Sequence, residues 1–138
     1  MSDLYDEMSV PTSKPKRKRS KTPKKDLEAA VLRECMKVLH DDPRVLYCER
    51  RNTGAVVLEG GGFIKFGAKG AADIWCIVEV DPMCAPLHME IECKRRNGKG
   101  RLSADQKKFQ AMCISIGLIY EVVTSGVQLK LLIDELCS

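Results

Sequence analysis

The chain is expected to fold as an α/β domain, a central mixed sheet flanked by helices in the order αβββαβ, and three observations predict this. A helix-period apolar stripe follows a basic amino-terminal segment, two alternating segments in the middle pair as a hairpin, and a capped helix then leads to a further strand. The 138 residues suit one domain, residues 26–138, behind a tail of residues 1–25. Hydrophobic residues make up 44% of the chain but aromatics only 5%, so aliphatics and cysteines have to fill the core.

The first helix is predicted from Asp26 to Leu39, with Leu27, Ala30, Val31, Cys35 and Val38 on one face and Pro23 ahead of it. Strands follow at Val45 to Arg51 and Ala55 to Glu59, joined by a turn at Asn52-Thr53-Gly54. Gly60-Gly61-Gly62 bends the chain before Phe63 to Phe66, so the β-region carries a short extra hairpin. Gly67 and Gly70 flank Lys69 in a loop whose backbone suits close approach by DNA.

The central hairpin carries the chemistry. Asp73-Ile74-Trp75-Cys76-Ile77-Val78 and Met89-Glu90-Ile91-Glu92-Cys93-Lys94 both alternate, and side chains on a strand point to opposite faces in turn. A hairpin centred near Pro82-Met83 places Asp73 opposite Glu92, Ile74 opposite Ile91, Cys76 opposite Met89 and Val78 opposite Leu87. One face is then apolar throughout, and the other gathers Asp73, Glu92, Glu90 and Lys94. A slip of one residue would drive carboxylates into the core, so the register is strongly specified. Two carboxylates brought together need a cation between them. Oxygen ligands with room for water suit Mg²⁺, with Mn²⁺ as a substitute, rather than zinc. Lys94 lies two residues beyond Glu92 on the same face, within reach of an attacking water or a charged phosphorane. Glu90 is expected to face solvent, the alternative being a carboxylate that supports the site.

Ser103 to Ile116 is the next helix, and Ser103-x-x-Gln106 is a capping box. The Gln106 side chain can serve the cap and also face the site, because this helix begins just beyond the strand bearing Lys94. Gly117 stops the helix, Tyr120 to Val123 is a strand, and Val127 to Leu136 is a final amphipathic helix. Glu28 falls in the first turn of the first helix, where a carboxylate suits the helix dipole as well as a site.

These motifs resemble the VRR-NUC domain, the stand-alone, phage-type branch of the PD-(D/E)XK nuclease superfamily. The resemblance runs from about Leu27 to Leu136. It rests on Glu28, R-R-N-T-G from Arg50 to Gly54, G-A-A-D from Gly70 to Asp73 and E-C-K-R from Glu92 to Arg95. G-R-L-S-A-D-Q-K-K-F from Gly100 to Phe109 and the strand at Tyr120 to Val123 complete it. It implies a restriction-endonuclease-like core in which Asp73, Glu92 and the Cys93 carbonyl bind the metal, Lys94 serves the nucleophile, and Glu28 and Gln106 support the site. Ala72 stands where the family often has proline before the metal-binding aspartate, a change that removes no ligand. Small stand-alone members resemble Holliday-junction resolvases that act as homodimers on branched DNA.

Charge is uneven. Residues 1–25 hold eight Lys/Arg against three Asp/Glu, so the tail is +5 while the whole chain is +4 and the remainder −1. The run from Pro15 to Lys25 has nothing apolar to bury and is expected to be disordered. It would serve as an arm that raises affinity for nucleic acid, as a nuclear localisation signal in a nucleated cell, or only as a solubilising tail. Arg95, Arg96, Lys99 and Arg101 crowd the connection after Lys94, where a phosphate backbone needs neutralising. Arg50, Arg51 and Asn52 contact phosphates or simply decorate a turn. Seven cysteines, without C-x-x-C spacing, read as reduced, with Cys35, Cys76 and Cys113 in the core, and a zinc site is not expected. No apolar run is long enough to cross a bilayer and the amino terminus lacks a signal peptide's apolar stretch. An intracellular protein is expected, in host cytoplasm if phage-encoded.

The leading expectation is a Mg²⁺-dependent DNA endonuclease, selective for branched structure. A DNA-binding module that leaves catalysis to its partners is the alternative, and it has no need of Asp73, Glu92 and Lys94 together. A sequence-specific restriction enzyme is weaker still, because the length leaves no recognition domain.

Overall fold

The computed structural model describes residues 27–51, 54–66 and 68–138, and for 54–57 and 63–66 it describes the backbone. The amino-terminal tail and Asn52 lie outside the described residues. Helix α1 is Glu28–Asp41, followed by strands β1 (Val45–Arg50), β2 (Gly54–Val57), β3 (Phe63–Phe66), β4 (Ile74–Val78) and β5 (Leu87–Cys93). Helix α2 (Ala104–Ser115), strand β6 (Ile119–Val123) and helix α3 (Gly126–Leu136) complete the chain. Over the described residues the domain is α/β, with a four-stranded mixed sheet, a two-stranded hairpin and three helices.

The sheet order is β1-β4-β5-β6. Pairing is antiparallel from β1 through β5 and parallel between β5 and β6. The parallel pair requires a crossover, which α2 supplies. Within the hairpin, Ile74 faces Ile91, Cys76 faces Met89 and Val78 faces Leu87, the register that alternation alone predicts. Asp81 closes the turn by accepting the Met83 amide at 2.9 Å on its side chain and the Cys84 amide at 3.0 Å on its carbonyl.

The two faces of the sheet are covered separately. Ile74, Cys76, Val78, Met89, Ile91 and Cys93 point to one side and are buried against Val31, Leu32, Cys35 and Leu39 of α1 and Leu129 and Ile133 of α3. Each large aliphatic removed from water here stabilises the fold by about 1.5–3 kcal/mol before entropy is counted. The buried stripe of α1 sits toward Leu32 and Leu39, while Val38 is only partly buried. On the other side α2 packs Phe109 and Cys113 against Tyr120, with Ala72, Leu118 and Val122. This second layer places the amino-terminal end of α2 over the polar residues of β5.

Strands β2 and β3 form a separate two-stranded hairpin, Gly54 facing Phe66 and Val57 facing Phe63. Strand β2 stops at Val57, short of the expected Glu59. The Leu58 amide donates to the Gly62 carbonyl at 3.0 Å and closes the turn early, around three glycines at φ 88°, 93° and 97°. Residues with side chains rarely adopt such angles.

Candidate active site

The polar face of β5 is buried. Glu90 and Glu92 are each 2% exposed and Lys94 is 7% exposed, because α2 closes over them. The expectation that Glu90 faces solvent is therefore overturned: alternation puts it on the face with Glu92, and that face lies under a helix instead of in water.

Asp73, at the entrance to β4, turns toward the end of β5, where its Oδ2 accepts the Cys93 amide at 2.8 Å. That bond fixes the carboxylate beside Glu92. Gln106 joins the remaining parts. Its Nε2 donates to Glu92 Oε1 at 2.9 Å, and its Oε1 accepts from Lys94 Nζ at 3.0 Å and from the Ser103 amide at 2.9 Å. Ser103 Oγ accepts the Gln106 amide at 3.2 Å in return, so the capping box forms and one glutamine serves both the helix end and the site. Lys94 Nζ stands 3.6 Å from Glu92 Oε1, and the Lys94 amide is anchored to the Val123 carbonyl at 2.9 Å.

Glu92 is the unsettled member of this group. Burial first, and then the neighbouring Asp73 charge, push its carboxyl up to about 8 despite the opposing pull of Lys94. Among the described residues its buried Oε2 has no hydrogen-bond donor, and its neighbour is the Asp73 carboxylate, with which only the protonated acid can bond. A buried carboxylate oxygen without a donor is costly, and a hard divalent cation between Asp73 and Glu92 would relieve both the repulsion and the vacant oxygen. Among the described residues no group of three or more His, Cys, Asp or Glu side chains could hold a metal. Asp73 and Glu92 could offer two carboxylates to a metal, with backbone oxygen and water to complete the set. Such a set fits Mg²⁺ or Mn²⁺ better than zinc.

Beneath Glu90 lies a second constellation. Arg51 Nη1 donates to Glu90 Oε2 at 2.8 Å and to the Ala72 carbonyl at 3.3 Å, and Nη2 donates to Glu90 Oε1 at 2.5 Å. The guanidinium also lies over the Phe109 ring, 5.5 Å from its centroid. This pair is the part that sequence reasoning missed. Its available signal was Glu90 in phase with Glu92, with an arginine just past the end of β1, two strands away in the sheet.

The remaining candidates are scattered around this centre. Glu28 is exposed at the first position of α1 and makes no hydrogen bond or ion pair among the described residues. Arg50, Arg95, Lys99 and Arg101 are exposed, and their side chains make none either. Lys69 is exposed and pairs with Asp105 at 3.4 Å, and Arg96 pairs with Glu34 of α1. Gly70, read as a place for DNA to approach, is instead where α2 approaches. A Cβ there would stand 2.4 Å from the Asp105 carbonyl carbon and oxygen, and φ is 78°. The cysteine thiols are all free, and Cys35, Cys76, Cys93 and Cys113 are buried.

No protein-family model, curated protein or solved structure matches the chain.

Proposed function

We propose that this chain is a metal-dependent endonuclease that hydrolyses DNA phosphodiester bonds, built on the restriction-endonuclease-like plan its motifs resemble. The observation that carries the reading is Glu92, a buried carboxylate pushed up to about 8 beside Asp73, with an oxygen lacking any donor among the described residues and with Lys94 and Gln106 bonded around it. Strongly perturbed carboxylates of this kind concentrate at functional sites.

Asp73, Glu92 and the Cys93 carbonyl would hold Mg²⁺, or Mn²⁺ as a substitute, which when bound supplies charge neutralisation at a phosphoryl group and a lower pKa for water. Lys94 contributes a fixed positive charge where hydroxide character and phosphorane charge develop. Held by Gln106 in a buried setting, that ammonium needs little reorganisation during the reaction. Gln106 orients the Glu92–Lys94 pair, because it donates to one and accepts from the other. Among the described residues the side chains of Arg50, Arg95, Lys99 and Arg101 have no partners, and they would neutralise phosphates flanking the cut.

Branched DNA is the proposed substrate and a homodimer the proposed form. One site per small domain makes one cut, and resolving a junction takes two. Incubation of four-way, flap, nicked and linear DNA with Mg²⁺ and with EDTA tests the activity. The expected result is Mg²⁺-dependent cutting with a preference for the four-way junction, and DNA binding without cleavage on any substrate would overturn it in favour of a binding module. Light scattering should read a dimer, and a monomer at tens of micromolar, with and without junction DNA, would remove the paired-cut part of the proposal.

A further inference from the structure

We infer that Arg51 is the positioning residue of this site: it sets the Asp73 carboxylate by gripping the peptide that leads into it, and Glu90 in turn holds Arg51. The inference rests on the metal-dependent reading of Asp73 and Glu92.

Arg51 holds the backbone on both sides of the Asp73 Cα. Its backbone amide donates to the Asp73 carbonyl at 2.7 Å, and its guanidinium donates to the carbonyl of Ala72, one residue earlier, at 3.3 Å. Neither contact touches the Asp73 carboxylate, so Arg51 acts through the backbone. The rest of the guanidinium is taken by both oxygens of Glu90 and by the face of Phe109. Glu90 is two residues from Glu92 on the same face of β5, and Phe109 is three residues from Gln106 on α2. One side chain therefore ties the end of β1, the entrance of β4, the strand bearing Glu92 and the helix bearing Gln106. The pieces that must meet at the site come from all but the first of these.

A buried ion pair is a poor device for stability alone, since apolar residues of similar volume often serve as well or better. The planar fork of arginine accounts for its presence here. It can donate to a carboxylate through two nitrogens while sparing a proton for a carbonyl, which a lysine cannot do in one geometry. Residues that support ligands without touching the metal commonly change metal affinity or activity by about 10–100-fold.

The test uses the full chain and Mn²⁺ titrated calorimetrically without DNA, followed by the Mg²⁺ dependence of cleavage. Arg51→Lys keeps a counterion for Glu90 but loses the fork. Arg51→Met combined with Glu90→Gln removes both charges together, so that no unpaired charge is buried. Both proteins are expected to fold, to bind Mn²⁺ about 10–100-fold more weakly, and to need correspondingly more Mg²⁺ for half-maximal cleavage. The rate at saturating Mg²⁺ should fall less than the affinity does. A purely structural ion pair predicts that the double variant, once folded, binds Mn²⁺ like the wild type. That result, or wild-type affinity in Arg51→Lys, would overturn the inference. Asp73→Ala separates the two levels: if it binds Mn²⁺ as tightly as the wild type, the metal-site reading itself is wrong and the inference falls with it.

Discussion

Asp42 and Glu92 are equally buried carboxylates in opposite circumstances. The Asp42 side chain is 2% exposed, just past the end of α1. It accepts the Arg44 amide and Arg44 Nε at 3.0 Å each, Arg44 Nη2 at 2.8 Å and Lys130 Nζ at 3.1 Å. The Arg44 guanidinium, helped by its amide and by Lys130, holds the Asp42 carboxyl well below the usual range. The Glu92 side chain, 3% exposed, meets one ammonium at 3.6 Å, one amide and a second carboxylate, and its carboxyl is pushed up to about 8. Burial raises both carboxyls and is the leading cause at Glu92, whereas at Asp42 the cationic partners outweigh it. The Asp42 cluster is electrostatically complete within the chain. Among the described residues the Glu92 cluster is short of positive charge, and the proposed metal would supply it.

The comparison is broken most directly by exchanging the roles. Asp73→Ala, Glu92→Ala and Lys94→Ala should each lower cleavage by about 10³-fold or more, several kcal/mol of transition-state stabilisation, in proteins that still fold. Asp42→Ala should do the reverse. It leaves Arg44 and Lys130 with only the more exposed Asp134 as a carboxylate partner and should cost about 2–3 kcal/mol in urea denaturation, with cleavage per folded molecule unchanged. Full activity of Lys94→Ala at saturating Mg²⁺, or a dead but stable Asp42→Ala, would erase the distinction.

Titration sharpens it next. In EDTA, folded Glu92 keeps its proton up to about 8, whereas the unfolded chain releases it near the ordinary glutamate value of 4.5. Over that window the folded state binds the extra proton, so stability falls as pH rises. The penalty is absent below the lower value and complete above the upper one. Asp42 behaves oppositely: its carboxylate adds stability above the ordinary range, and that stability is lost as pH falls through its depressed value. The urea midpoint should decline from about pH 5 to about pH 9 in wild type and stay nearly level in Glu92→Gln. Asp42→Asn should lose part of the acid dependence and keep the alkaline decline. A level wild-type profile in EDTA would show that Glu92 is not strained.

The contrast also explains what the sequence made legible. Asp73, Glu92 and Lys94 were found by period-two alternation, which depends only on backbone geometry, and the hairpin register followed because a slip would bury charge. The Ser103–Gln106 cap was local in the same way. Glu90 was misplaced because alternation assigns a face but does not say what covers it. The cover is α2, brought back over the sheet by the parallel β5–β6 crossover, a long-range consequence that no short window contains. Arg51 was visible only as a cation at a strand end, since its partner lies 39 residues away in sequence. The Asp42 cluster was not anticipated either, because its members come from opposite ends of the domain.

Gln106 allows a finer division within the site. Ser103→Ala removes the hydroxyl half of the cap and should cost about 1 kcal/mol of stability with little loss of turnover. Gln106→Ala removes the other half together with the bonds to Glu92 and Lys94. It should cost a similar amount in stability and about 10–100-fold in turnover. Equal turnover in the two variants would reduce Gln106 to a helix cap.

The smallest effect on chemistry is expected from the largest change in charge. Deleting residues 1–24 removes seven cations and none of the residues placed at the site. The proposed role of these cations is to release counterions from DNA, each phosphate contact adding about 0.9 to the dependence of log affinity on log salt. Truncation should therefore weaken DNA binding and flatten its salt dependence, leave the rate at saturating DNA unchanged, and leave the EDTA pH profile of the Glu92 cluster as it was. An arm that only concentrates substrate binds ground state and transition state alike, and such binding does not raise turnover. If truncation lowers turnover while affinity and salt slope hold, the segment belongs to the active complex. The charge deficit at Glu92 would then be met in part by the chain itself.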